Sequence, residues 1–188
     1  FLVQLGRYIG NVLRFDLGYS FFYNKPVTEL ILQRLPATLL LVFVAQILAL
    51  FIGVILGVIS ARKPNGIASH FVTMLALFGY SAPVFWTGIL LLIAFSLKVQ
   101  LFPVAGMRDV TIIGGFWVQF VDVARHMVLP VITLGSIFLA LYSRLSRATM
   151  MEVLGSDYVR TAKAKGLSER EVVYKHALKN SLSPVITL

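Results

Sequence analysis

A stretch of about 25 residues without one charged side chain, LPATLLLVFVAQILALFIGVILGVI at positions 35–59, is the most constraining feature of this chain. Because an α-helix rises about 1.5 Å per residue, such a stretch can cross the roughly 30 Å hydrocarbon core of a bilayer. Only 13% of the residues are charged and 58% are apolar, whereas an average soluble domain has roughly 25% charged residues. We therefore predict a membrane protein with a transmembrane helix over residues 35–60.

Two further apolar stretches predict two more crossings. The first covers residues 71–97 and contains Pro83, whose ring and missing amide hydrogen kink or break a helix. The second covers residues 127–144 and ends at Arg144, a side chain long enough to reach the membrane surface. The predicted fold class is an all-α, polytopic transmembrane helical bundle forming one domain over residues 1–188.

Orientation follows from the distribution of Lys and Arg. These residues crowd the short connection after the first span and the segment 145–180, which the positive-inside rule makes cytoplasmic. Residues 1–34 and 98–126 are then external. The first of these segments begins with an amphipathic helix, which lies at the membrane interface or packs in a loop. Residues 181–188 read as the start of another span, so we expect a fragment that lacks both ends.

Small side chains recur every fourth residue in the first span, at Ala45, Ala49, Gly53 and Gly57. Helix interfaces in membranes use small residues to bring backbones close, so this stripe predicts tight packing against another helix. The alternative is that alanine and glycine are simply common in membrane helices.

The spans also contain a few uncharged polar groups and one proline at a break. Gln46, Ser81 and Pro83 are candidates for the lining of a translocation path, and interhelical hydrogen bonding is the favoured alternative for the polar pair. An ion-coupled relay usually needs an ionisable residue inside the membrane, and the three predicted spans contain none before Arg144.

The sequence lacks the common motifs of catalysis and nucleotide binding. It has no cysteine, no Gly-Lys pair for a phosphate-binding loop, no Gly-x-Ser-x-Gly, no His-Glu-x-x-His and no Gly-x-Gly-x-x-Gly. His70, His126 and His176 lie apart, without a second ligand at metal spacing. We predict no enzyme activity, no cofactor and no metal. The net charge of +9 is attributed to membrane orientation rather than to nucleic acid.

One long basic segment near the end, DYVRTAKAKGLSEREVVYKHALKNSLSP at 157–184, differs from the rest of the chain. Asp157 can cap a first helix, and Gly166 suits the left-handed position at its end. Ser168 and Glu171 have the spacing of a capping box that starts a second helix. The segment therefore predicts a helix–turn–helix on the cytoplasmic side, which we call the knuckle (residues 157–180).

The knuckle resembles the EAA loop of binding-protein-dependent ABC transporter permeases, in the dipeptide, oligopeptide and nickel branch. The general motif has Glu-Ala-Ala before the glycine, whereas this chain has Arg160-Thr161-Ala162, as that branch does. The similarity also covers DLGYSF, RLPATLLL, GYSAPVFWTGILL and LFPVAGM, and thus nearly the whole chain.

The resemblance implies a type I ABC importer permease whose knuckle lodges in a groove of an ATP-binding subunit. It implies further partners: a second, homologous permease subunit, an extracytoplasmic solute-binding protein and membrane lipid, but no nucleic acid. The residues expected at the ATPase-coupling interface are Asp157, Arg160, Thr161, Ala162, Lys163, Ala164, Gly166, Leu167, His176 and Asn180.

The predicted function is inward movement of peptides, nickel or related small solutes by alternating access in a bacterial or archaeal plasma membrane. ATP would be hydrolysed by partner chains. A self-contained secondary transporter is the first alternative, and a membrane-anchored regulator with a DNA-binding helix–turn–helix is the second. Anionic lipid is an alternative partner for the basic residues of the knuckle.

Overall fold

The computed structural model describes residues 1–187, which are mostly helical, and this confirms the all-α prediction. The chain divides into two units, Phe1–Val42 and Phe43–Leu188, and helix α2 runs through the boundary.

The first unit begins with an exposed helix followed by a small hairpin. The helix α1 covers Leu2–Leu13, and the two antiparallel strands of the hairpin are β1, Tyr19–Ser20, and β2, Lys25–Pro26. Two hydrogen bonds tie this region to the start of α2: Val27 N–H donates to Gly18 O at 3.0 Å, and Thr28 Oγ1 donates to Phe15 O at 3.1 Å.

Helix α2 covers Val27–Arg62, which is 36 residues. The predicted span 35–60 lies wholly inside it, so the boundary drawn at residue 34 is not a helix end. Arg34 marks a change in the polarity of the side chains, which does not by itself end backbone hydrogen bonding. The helix continues past Arg34 with Pro36 in its interior.

The second apolar stretch is broken at Pro83, which is one of the two outcomes predicted for that proline, and it forms two helices. Helix α3 covers Ile67–Ser81, and α4 covers Val84–Leu91 and continues as a π-helical segment, Leu92–Lys98. The axes of the two halves differ by 105°. Ala82 adopts an extended conformation because the ring of Pro83 disfavours the helical region for the residue before it.

Helix α5 covers Phe116–Leu154 and is much longer than the predicted span 127–144. Its 39 residues are about 58 Å long, roughly twice the hydrocarbon thickness. The helix therefore includes the last residues of the predicted external loop and the first of the predicted cytoplasmic segment. The charges that end the apolar stretch mark the membrane edge, and the helix continues beyond them.

Two helices in the described part of the chain, α2 and α5, are long and apolar enough to cross a membrane. The bent pair α3–α4 makes a third crossing if its halves act as one span.

The chain ends in several short helices. Helix α6 covers Asp157–Ala164, and α7, Glu169–Glu171, continues as a π-helical segment, Val172–Ala177, and as α8, Leu178–Ser181. The final helix, α9, covers Ser183–Ile186. The predicted start of a further span, 181–188, thus contains the last residue of α8 and the single turn of α9, and position 188 lies outside the described residues.

Candidate functional site

The knuckle consists of two helical arms joined at a glycine turn. Gly166 has φ +81°, the left-handed conformation that terminates α6. After the turn, the Glu171 N–H donates to Ser168 Oγ at 3.3 Å, and the Ser168 N–H donates to Glu171 Oε2 at 3.2 Å. This reciprocal pair is a capping box, and it fixes the start of the second arm.

The start of the first arm differs from the prediction. Ser156, not Asp157, is the N-cap residue, because its backbone is extended (φ −72°, ψ 155°) and the helical residues begin at Asp157. The Ser156 hydroxyl donates to Val153 O at 2.6 Å rather than accepting from the helix. Asp157 therefore lies in the first turn, where its negative charge interacts favourably with the helix dipole.

A hydrophobic cluster anchors the knuckle to the ends of the long helices. Val58 and Ala61 come from α2, Met150 from α5, and Met150 is fully buried. The remaining buried members come from both arms of the knuckle: Val159, Ala162, Val172, Val173 and Ala177. Residues of all four segments therefore share one core.

The predicted interface residues separate into exposed and buried sets. Ala162 is only 7% exposed and belongs to the cluster, so it supports the knuckle from within. Leu167 and His176 are partly buried. The exposed residues are Asp157, Arg160, Thr161, Lys163, Ala164, Gly166 and Asn180.

Two cross-connections of the knuckle were not anticipated from the sequence. Asn180 Nδ2 donates to Tyr158 Oη at 3.0 Å, which links the end of the second arm to the first. Arg62 at the end of α2 lies 3.9 Å from Glu169, but both side chains are substantially exposed, so this pair contributes at most about 1 kcal/mol. The spacing of 22 residues between Tyr158 and Asn180 offers no sequence signal for their contact.

The outer surface of the knuckle is basic, with one acidic group held in place. The Ser168 hydroxyl donates to Glu171 Oε2 at 2.8 Å, and this bond, with that from the Ser168 N–H, holds the pKa of Glu171 below its ordinary value. These two bonds favour the ionised carboxylate, which is the form that accepts them in the capping box. The exposed basic residues of the knuckle are Arg160, Lys163, Lys165, Arg170, Lys175 and Lys179.

The stripe of small residues on α2 faces α5. Ala45, Ala49, Gly53 and Gly57 are all buried. A Cβ added at Gly53 would lie 2.7 Å from Tyr142 Cβ. One added at Gly57 would lie 2.7 Å from Ser146 Cβ and 2.8 Å from the backbone oxygen of Ser143. The helices thus approach so closely at these glycines that no side chain fits between them.

The candidate path residues lie in different environments. The side-chain amide of Gln46 donates to Tyr142 Oη, and its own Oε1 is buried without a partner among the described residues. Gln46 therefore joins α2 to α5. Ser81 and Pro83 are exposed at the bend between α3 and α4, and Ser81 borders an open apolar groove of about 630 Å³.

A buried polar group at the other end of α5 was also missed from the sequence. His126 Nδ1 lies 3.3 Å from Asp122 Oδ1, and the two side chains are 5% and 8% exposed. Asp122 Oδ2 accepts the Asp109 N–H at 2.8 Å, and Arg125 Nη2 donates to Leu101 O at 3.3 Å. The last two bonds, from Asp109 and to Leu101, attach the loop of residues 99–115 to α5. The i, i+4 spacing of Asp122 and His126 was the available signal.

The loop of residues 99–115 contains Asp109, whose pKa, like that of Glu171 in the knuckle, is shifted by hydrogen bonds. The Thr111 hydroxyl, which donates to Asp109 Oδ1 at 2.7 Å, and the Thr111 N–H lower the pKa of Asp109. Within the described residues, no three His, Asp or Glu side chains are grouped so as to hold a metal ion.

Known proteins are similar to this chain over most of its length. The model of the family described as "Binding-protein-dependent transport system inner membrane component" matches residues 53–188. The chain is 40% identical over 96% of its length to the di/tripeptide transport system permease protein DppB of Pseudomonas aeruginosa. It is 40% identical over 98% of its length to the dipeptide transport system permease protein DppB of Escherichia coli K12. It is 38% identical over 99% of its length to the oligopeptide transport system permease protein AppB of Bacillus subtilis.

The chain covers 58%, 60% and 58% of the lengths of these three relatives. All three are named as permease proteins of transport systems, and the family is defined as an inner-membrane component. The predicted resemblance and the predicted inner-membrane location are confirmed. The chain belongs to the binding-protein-dependent transport system inner membrane component family.

Proposed function

We propose that this chain is the greater part of a permease subunit that moves peptides inward across the plasma membrane, driven by ATP hydrolysis in partner subunits. The names of the relatives support peptides as the cargo class, and we place nickel and other small solutes second. The chain serves as a translocation subunit and not as an enzyme.

The observation that carries this proposal is the attachment of the knuckle to both long helices. Met150 of α5, Val58 of α2 and Val159 of α6 meet in one buried cluster. The exposed residues Arg160 and Lys163 face outward from it. An ATP-binding subunit that binds the outer face of the knuckle would therefore act on α2 and α5 through this cluster. Alternating access would follow from the displacement of these two helices.

Two further partners complete the proposed assembly. A second, homologous permease subunit would enclose the path, with Ser81 and Pro83 at the bend of α3 and α4 contributing to its lining. A solute-binding protein would deliver the cargo at the external side, where residues 99–115 are held by Asp122. For Gln46, the hydrogen bond to Tyr142 supports the alternative role of joining α2 to α5.

Gly166→Ala in the full-length protein tests the coupling role. A side chain at φ +81° strains the turn by about 1–2 kcal/mol and shifts the two arms of the knuckle. Gly155→Ala is the matched control, because Gly155 has φ −83° and an added Cβ would meet its nearest atom at an ordinary 3.4 Å.

The assay is uptake of a labelled dipeptide into proteoliposomes containing the permease, its ATP-binding subunits and the solute-binding protein. We expect the Gly166 variant to insert normally into the membrane but to lose most ATP-driven uptake. It should also co-purify with less of the ATP-binding subunits, whereas the Gly155 variant should behave as the wild type does. Unchanged uptake in the Gly166 variant would refute the coupling role. Uptake that needs no ATP would favour the secondary transporter.

A further inference from the structure

Helix α1 has one apolar and one polar side, and none of its side chains is buried. With about 100° between successive residues, Leu2, Leu5 and Ile9 fall on one side. The opposite side carries Gln4, Arg7, Asn11 and Arg14 from the helix and its C-cap. Val3 is the single aliphatic residue that departs from this division.

The apolar side faces solvent in the described unit 1–42. Leu2 is 79% exposed, Leu5 is 41% and Ile9 is 49%. Exposed aliphatic side chains in such a continuous arrangement indicate a surface that is covered in the assembled protein. The surroundings of α1 therefore have to offer an apolar region to Leu2, Leu5 and Ile9 and a polar region to the opposite side of the helix.

The position and the charge of α1 indicate which surroundings these are. Thr28 Oγ1, in the first turn of the membrane-spanning α2, donates to Phe15 O just after the end of α1. Helix α1 is thereby attached to α2 about seven residues, or roughly 10 Å along the helix axis, before the predicted span 35–60 begins. It contains no acidic residue, and Arg7 and its C-cap Arg14 supply two positive charges on the polar side.

We infer that α1 lies in the interface of the membrane surface at which α2 begins, with its apolar side in the acyl region and Arg7 and Arg14 among phospholipid headgroups. Helices with this arrangement bury their apolar side about 5–10 Å into the boundary between headgroups and acyl chains. Tyr8, at the edge between the two sides, lies at the headgroup level where aromatic residues concentrate. This inference needs only the membrane location and is independent of the transported cargo.

The test is fluorescence quenching at single cysteines in the full-length permease, assembled with its partner subunits in phosphatidylethanolamine–phosphatidylglycerol nanodiscs. The sequence of residues 1–188 has no cysteine, and any cysteine elsewhere in the full-length permease or its partner subunits is replaced with serine, so that a bimane label can be placed at one position at a time. Leu5→Cys and Ile9→Cys report on the apolar side, and Gln4→Cys and Asn11→Cys are matched controls on the polar side. Each labelled sample is exposed to doxyl-labelled lipid and, separately, to aqueous iodide.

We expect doxyl lipid to quench Leu5→Cys and Ile9→Cys several-fold more strongly than Gln4→Cys and Asn11→Cys, with the opposite order for iodide. If both apolar-side labels are shielded from both quenchers, the side is covered by protein and the inference is wrong. If iodide reaches all four positions equally, α1 stands in water and the inference is also wrong. Two positions on each side keep the result interpretable if one variant fails to assemble.

Discussion

Replacing Gly57 with alanine should separate α2 from α5. The added Cβ would lie 2.7 Å from Ser146 Cβ, 2.8 Å from Ser143 O and 2.9 Å from the backbone nitrogen of Arg147. Favourable carbon–carbon contacts need about 3.5–4.0 Å, so a shift of nearly 1 Å is required. Two of the three atoms belong to the backbone of α5 and cannot move alone, so the helices themselves must part.

The expected cost combines two opposing effects. Forcing an extra methyl group into a packed interface costs about 1–3 kcal/mol, and the backbone contacts favour the upper end. Alanine in place of glycine in a helix interior stabilises the helix by up to about 1 kcal/mol. The net loss at Gly57 should be about 2 kcal/mol. Gly53→Ala should cost less, because its close contact is a Cβ at 2.7 Å and the backbone atoms lie at 3.2 and 3.3 Å.

The assay is thermal unfolding of the purified full-length permease in mild detergent, compared with peptide uptake in proteoliposomes. A loss of about 2 kcal/mol corresponds to roughly 4–8 °C in Tm for a domain of 150–250 residues and to a smaller shift for a longer chain, so we expect a fall of a few degrees. Gly10→Ala is the control, because no atom lies within 4 Å of an added Cβ in that helix. If Gly57→Ala unfolds at the same temperature as Gly10→Ala, the close α2–α5 contact is refuted.

Three further predictions concern polar groups. Tyr142→Phe removes the hydrogen bond from Gln46 and should destabilise the α2–α5 contact by about 1 kcal/mol, measured as a fall in Tm, whereas an unchanged Tm would deny the bond a structural role. Asp122→Ala leaves the Asp109 N–H without its acceptor, at a cost of about 1–3 kcal/mol, and should increase proteolysis within residues 99–115; wild-type resistance would contradict this role. Because the pKa of Glu171 is lowered in the folded chain, its contribution to the capping box is present above the ordinary glutamate pKa and is lost as the pH falls through the lowered value. A spin label in the turn should therefore gain mobility only at acid pH, and Glu171→Gln should abolish this dependence.

Hydropathy predicted the existence of the helices because a charge-free stretch has few ways to satisfy its backbone in lipid other than as a helix. It did not predict their ends, since charge marks the membrane edge and not the end of backbone hydrogen bonding. Helix α5 illustrates this, because it continues through Asp122 on one side and Arg147 on the other. The proline at position 83 indicated a break, but the 105° angle between α3 and α4 depends on packing against α5, which the sequence does not encode locally.

The knuckle was predicted in more detail than the polar contacts, for a physical reason. Gly166, Ser168 and Glu171 act within a few residues of one another, so their spacing is sufficient to predict the turn and the capping box. The partners of Gln46 and Asn180 lie on other helices, and no local spacing identifies them. The burial of Ala162 likewise depends on α2 and α5 meeting at the knuckle.

The two kinds of helix contact in this chain should respond differently to a force on the knuckle. Gly53 and Gly57 hold α2 and α5 backbone against backbone, where a small separation loses many dispersion contacts at once. Ala82 and Pro83, by contrast, interrupt the helical hydrogen bonds between α3 and α4. A force applied through Met150 and Val58 would therefore move α2 and α5 as one body, and the change of shape would concentrate at the α3–α4 bend. In the function proposed above, this division would combine a rigid connection to the ATP-binding subunits with a path that opens and closes at the bend.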